Sequence, residues 1–192
     1  MDILAELKTQ TWPIHQELEK ISLLKKIMRE EIDLQEYKKL LCIFYGFIYP
    51  YENKIKMTNS DLLTNREKSP LLRADLATFE QLNPEELSFC EATTSLNLEA
   101  EIYGYLYVME GATLGGQVIT KALKANNKLS PQISTNYFNA YDQKTRRNWG
   151  DFSLDLCEKN VTNTQKKQVI TTAIEIFTAL FYWLNRNIPN DL

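Results

Sequence analysis

An all-α fold is what this sequence predicts, and three observations carry the prediction. Apolar residues recur at helical spacing along almost the whole chain, helix-starting residues precede several of those stretches, and no alternating apolar and polar run bounded by turn residues marks a strand. At 192 residues the chain reads as a single domain over 1–192, long enough to bury roughly two thirds of the surface its unfolded form exposes. It has no internal repeat and no low-complexity stretch, and the polar segment 58–69 reads as a surface loop.

The elements follow in chain order. A first helix is expected over 2–29, where Leu7, Ile14, Leu18 and Ile21 outline an apolar side while Lys8, His15 and Glu19 share another. Pro13, lacking an N–H, begins or bends it. A second helix over 33–57 carries the stripe Tyr37, Leu40, Leu41, Phe44, Tyr45 and Ile48, and Asp33 with Glu36 forms a capping-box start. Ser69-Pro70 and Asn83-Pro84 place proline at a first helical position and predict helices over 70–80 and 84–91. Three more are expected over 97–126, 134–157 and 163–187; the last is striped by Val169, Ile170, Ala173, Phe177, Leu180 and Leu184, with Pro189 beyond its end.

Composition narrows the function. With 22 basic and 25 acidic residues, a net charge of −3 and 44% hydrophobic residues, the chain lacks the basic surplus of a general nucleic-acid binder and the signatures of disordered or fibrous proteins. No apolar run approaches the ~20 residues of a membrane span, and the first residues do not resemble an export signal. The cysteines Cys42, Cys90 and Cys157 are odd in number and widely spaced. They read as thiols in a reducing cytoplasm, not as a disulfide framework or metal pair.

Two scarcities carry more information. Of only 6 glycines, Gly104, Gly111, Gly115 and Gly116 fall within the 97–126 helix, although glycine inside a helix costs about 1 kcal/mol relative to alanine. Gly104, Gly111 and Gly115 share a face with Gly116 beside it, which bares backbone to a neighbouring helix or a flat ligand and offers a place for a kink. Close helix packing is the plain alternative. A phosphate-binding glycine loop would need a preceding strand, and none is predicted.

His15 is the only histidine. A lone imidazole is ordinarily a surface or core residue, but it can also be the axial ligand of a haem iron, leaving the opposite coordination position open. Glu19, one turn on, can hold the other ring nitrogen, and Lys8, two turns back, can meet a ligand carboxylate.

Three segments then resemble one family. LKTQTWPIHQELE (7–19) is similar to the proximal-helix motif of the biliverdin-producing haem oxygenases, bacterial branch; YLYVMEGATLGGQVI (105–119) resembles their distal-helix motif, and YDQKTRRNWGDF (141–152) the segment before their last helix. The resemblance implies a helical domain holding haem, as both substrate and cofactor, between a proximal helix and a kinked distal helix. It further implies ring opening to biliverdin with release of CO and ferrous iron. By position it makes His15 the iron ligand, Lys8 a propionate contact, Glu19 the acid behind the histidine, and Gly111, Gly115 and Gly116 the glycines against the haem and its oxygen.

One departure stands out. Where many members follow the first distal glycine with an aspartate that organises water over the iron, this chain has Ala112. Thr113, Gln117 or a basic or tyrosyl residue of the 137–149 segment is expected to take over that task; Arg146 and Arg147 read either as a solvated helix face or, for one of them, as the partner of a propionate. Tyr141 and Trp149 read as core aromatics, and of Tyr105 and Tyr107 at most one can face a pocket.

Electrons must come from a separate ferredoxin or NAD(P)H-dependent reductase, because the sequence carries no flavin or dinucleotide fingerprint and no cluster-type cysteine run. Its docking patch is sought among Lys8, Lys25, Lys26, Lys121, Lys124, Arg146 and Arg147. The competing readings are a haem carrier or sensor that does not turn over, which Ala112 keeps open, and a helical enzyme for another ligand.

Overall fold

The computed structural model describes residues 2–79, 87–130 and 132–188, and every regular element among them is helical. α1 (Ile3–Glu19) starts where the Asp2 carboxylate accepts the Leu4 N–H at 3.2 Å. It ends sooner than expected. Ile21 takes extended backbone (φ −58°, ψ 130°) and buries its side chain, which stops the helical ladder and starts α2 (Ser22–Met28). The single helix expected over 2–29 is therefore two.

α3 (Leu34–Asn59) opens on the expected capping box: Glu36 N–H donates to Asp33 Oδ1 at 2.8 Å and Asp33 N–H to Glu36 Oε2 at 3.0 Å. Its whole expected stripe is buried. A short 3-10 turn (Ser60–Leu63) leads to α4 (Ser69–Leu76), whose free first amides are met by the buried Glu52 carboxylate of α3, with Lys68 N–H at 2.5 Å and Ser69 N–H at 3.1 Å. α4 is shorter than the 70–80 expected.

The helix expected over 84–91 is corrected for 87–91, which is irregular, while 84–86, like Asn83 and Pro189, lies outside the described residues. Irregular chain here is tied to α3 by hydrogen bonds a helix would not leave free. Cys90 N–H donates to Gly46 C=O at 2.9 Å, and Lys54 Nζ donates to Ala92 C=O at 2.9 Å and Thr94 C=O at 2.7 Å.

α5 (Glu99–Ala125) runs unbroken through its glycines, none of which has positive φ. The helix expected over 134–157 begins only at α6 (Thr145–Lys159), after a 3-10 turn (Asp142–Lys144). The reason is Asp75. Its carboxylate, fully buried at the end of α4, accepts from Asn136 N–H at 2.7 Å, Tyr137 N–H at 2.8 Å and the Ser134 hydroxyl at 2.6 Å, and these bonds hold 134–137 out of a helix. α7 (Asn163–Asn187) has the expected bounds and opens on a Thr162–Gln165 capping box.

α1 and α5 both pack against α7. Gly104 makes the closest crossing, since a Cβ there would stand 2.6 Å from Val169 O and 2.7 Å from Thr172 Cβ. One continuous apolar core joins α1 to α7, and among the described residues no helix is long and apolar enough to cross a membrane.

Candidate functional site

A cavity of about 1150 Å³ opens between α1 and α5, above the size of most small-molecule pockets, roughly 300–1,000 Å³. α1 lines one side with Lys8, Thr11, Trp12, His15 and Glu19, residues three or four apart that share a face. α5 lines the other with Gly111, Ala112, Thr113, Gly115 and Val118. The back wall is apolar, from Phe44, Phe47 and Ile48 of α3 and Phe177, Leu180 and Leu184 of α7.

His15 is held by aromatic neighbours. Trp12 stacks on it (centroids 5.6 Å apart, planes 10° apart) and Phe177 meets it edge-on at 6.0 Å. Nδ1 is buried without a hydrogen bond, 3.5 Å from Glu19 Oε1. That separation is a loose contact; the side chain as a whole is 45% exposed and lines the cavity.

The glycine stripe divides along α5. Gly104 serves packing on α7, Gly111 lies under Trp149 with a would-be Cβ 3.7 Å from that ring, and Gly115 has open space beyond it. Gly116, about 100° further round the helix, is a correction: it does not line the cavity, and a Cβ there would stand 2.1 Å from Phe138 O. Its bare Cα admits the turn that Asp75 organises. Alanine at the two neighbouring positions should therefore act oppositely. Gly115→Ala should raise the stability of the ligand-free chain by about 0.5–1 kcal/mol through helix propensity, whereas Gly116→Ala should lower it by about 1–3 kcal/mol through backbone displacement. Urea unfolding of the two variants checks this; a stable Gly116→Ala would contradict it.

Thr113 is buried and lines the cavity, but its hydroxyl donates to Glu110 C=O at 2.6 Å. Gln117 is turned away, donating to Asp142 C=O at 2.7 Å. Arg146 and Arg147 are also corrected: both are exposed on α6 outside the cavity, and Arg147 Nε lies 3.7 Å from Asp151 Oδ2. The start of α6 at Thr145 swings their side chains outward; Trp149, expected in the core, is the α6 residue that lines the cavity. Tyr107 faces the cavity while Tyr105 is fully buried elsewhere. Lys25, Met28 and Arg29 of the α2 end also line it, which a continuous 2–29 helix concealed.

At the cavity wall, where Lys68 lines it, lies a buried polar cluster that the sequence did not announce. Lys68 Nζ donates to Glu110 Oε1 at 2.7 Å, Tyr141 Oη at 2.9 Å and Arg66 C=O at 2.6 Å, and the Tyr141 hydroxyl donates to Glu110 Oε1 at 2.8 Å. Burial pulls the Lys68 ammonium below its usual range against the pull of Glu110, and burial beside Glu110 pushes the Tyr141 phenol up. Among the described residues no group of three or more His, Cys, Asp or Glu side chains is placed to hold a metal ion.

A family model described as Heme oxygenase matches residues 1–186. Among solved structures, the chain is similar to the heme oxygenase of Leptospira interrogans (TM-score 0.78, 15% identity, covering 97% of this chain and 100% of that one). It is similar as well to heme oxygenase-1 of the cyanobacterium Synechocystis in complex with heme (TM-score 0.75, 14% identity, 97% and 92% covered). The NO- and CO-bound heme oxygenase of Neisseria meningitidis matches with TM-score 0.74 at 16% identity, with 100% and 98% covered. At such identities the likeness is one of fold. Among curated protein sequences none matches this chain.

Proposed function

The chain belongs to the haem oxygenase family, and from that premise we propose that the cavity between α1 and α5 binds haem on His15 as substrate and cofactor. The activity is oxidative opening of haem to biliverdin with release of CO and ferrous iron. The single observation that carries the site is His15: the only imidazole in the chain lines the cavity, with its Nδ1 buried and without a hydrogen bond.

The residues present fit the group. The orphaned Nδ1 has Glu19 as its nearest carboxylate; a modest closing of that contact gives Nδ1–H a partner and leaves Nε2 as the electron-pair donor. Trp12 and Phe177 keep the ring from turning. Gly115 and Gly111 let a flat ligand lie against α5 backbone, where any larger side chain at 115 would project into the space it needs. When bound, haem supplies the iron that takes up O₂ and the ring carbon that is oxidised.

The protein's part is position and exclusion. The apolar wall of α3 and α7 keeps bulk water from the reacting edge, and the Thr113 hydroxyl, with its proton committed to Glu110 C=O, retains lone pairs that can order a water in the cavity. Cations at the rim, Lys8 among them, meet the ligand's carboxylates. The electrons come from a separate ferredoxin or NAD(P)H-dependent reductase. Three half-buried free thiols suit a reducing cytoplasm.

Hemin titration followed by reductant and oxygen tests the proposal. Decay of the haem band with growth of biliverdin absorbance and release of CO is expected. A haem complex that survives reductant and oxygen unchanged would mark a carrier, and no complex at all would refute the site.

A further inference from the structure

A second cleft backs onto the first. Among the described residues Phe47 of α3 alone lines both, and its side chain is buried. The second cleft, about 630 Å³, lies within the range of small-molecule pockets, roughly 300–1,000 Å³. One wall is the last part of α7, where Ala179, Tyr182, Trp183 and Arg186 share a face by their spacing. The other is the irregular chain 88–93, and Phe47 and Tyr51, one turn apart on α3, form the buried side. Both walls are fixed to α3. Cys90 N–H donates to Gly46 C=O at 2.9 Å, and Trp183 Nε1–H to Ile43 C=O at 2.8 Å. The bare Cα of Gly46 lets them converge, since a Cβ there would run into Ser88 O and stand 3.1 Å from Trp183 Cζ2.

The two walls carry one charge each, of opposite sign: Arg186 on α7 and Glu91 on the irregular chain. Both side chains are exposed, and neither has a hydrogen bond or an ion pair, with the other or with any further residue, among the described residues. Aromatic surface stands uncovered beside them, with Tyr182 67% and Phe89 39% exposed. Burial pushes the Cys90 thiol up to about 12, so the cleft offers no thiolate at neutral pH and is built for binding, not for covalent chemistry. We propose that this cleft is a second small-molecule site, and that its ligand is a zwitterion with a flat apolar body, of which an aromatic amino acid is the simplest. The carboxylate meets the Arg186 guanidinium, the ammonium meets the Glu91 carboxylate, and the ring lies against Tyr182 and Phe89. Carboxylate and ammonium on one carbon bridge two side chains that stand too far apart to pair with each other. The site holds no residue of α1 or α5, so the assignment is independent of what fills the larger cavity.

The test titrates the full chain, without hemin, with L-tryptophan and with N-acetyl-L-tryptophanamide, which keeps the ring and lacks both charges. Calorimetry should show tryptophan bound about tenfold more tightly than the uncharged derivative. Arg186→Gln and Glu91→Gln should each weaken tryptophan by about threefold and leave the derivative unchanged, and the double variant should bind the two alike. Both positions are exposed, and a circular dichroism melt verifies that the fold is intact. Backbone NMR shifts on adding tryptophan should gather at 88–93 and 182–187. Absence of tryptophan binding, equal binding of both probes by the unchanged chain, or a preference that survives the double variant would overturn the assignment. Shifts gathered instead on α1 and at Gly111–Gly115 would do the same, by placing tryptophan in the larger cavity.

Discussion

Replacing His15 by alanine should leave a chain that folds normally and has lost turnover by at least ~100-fold, with the absorption spectrum of its hemin complex changed. No second imidazole exists to substitute, because His15 is the only histidine. The side chain is 45% exposed and contributes no hydrogen bond through Nδ1, so its removal costs little stability. Added imidazole should restore the spectrum by entering the space the side chain vacates beside Trp12 and Phe177. A His15→Ala variant with an unaltered hemin spectrum would show that the iron is held elsewhere. Glu19→Gln should have a milder effect, since it changes the partner of Nδ1 and not the ligand.

The largest loss of stability is expected from Lys68→Met, about 3–5 kcal/mol. Lys68 and Glu110 are 1% and 0% exposed, so methionine leaves the Glu110 carboxylate buried with only the Tyr141 hydroxyl at 2.8 Å and Arg66 Nη1 at 3.7 Å from its oxygens. Glu110 Oε2 already lacks a hydrogen bond. The double variant Lys68→Met/Glu110→Leu removes both charges and should recover most of the loss, because a buried pair gains little over an apolar replacement while a broken pair costs the full desolvation of the survivor. Urea unfolding of both variants reads the difference. A single variant that loses under 1 kcal/mol would mean that water reaches Glu110.

Much of this was legible in the sequence because it depended on local spacing. The stripe from Tyr37 to Ile48, the Asp33–Glu36 box and the bounds of the last helix all follow from interactions within a few residues. So does the shared face of Lys8, His15 and Glu19, all of which line the cavity. Where the reading failed, a distant residue competed with the local pattern. Asp75 takes the amides of 136 and 137 that a helix would have used internally, and burial of Ile21 ends α1.

The glycines mark the boundary between the two kinds of information. By itself the sequence determined an all-helical chain, a single histidine and a helix bared along one side, since composition and periodicity are complete in one dimension. Only the tertiary structure decided what each bare position meets: α7 at Gly104, the Trp149 ring at Gly111, open cavity at Gly115 and the Phe138 carbonyl at Gly116. It also decided that Lys25 and Arg29, not Arg146 and Arg147, stand at the cavity. Helical spacing tells which residues share a face; what that face touches is set by packing between elements remote in sequence.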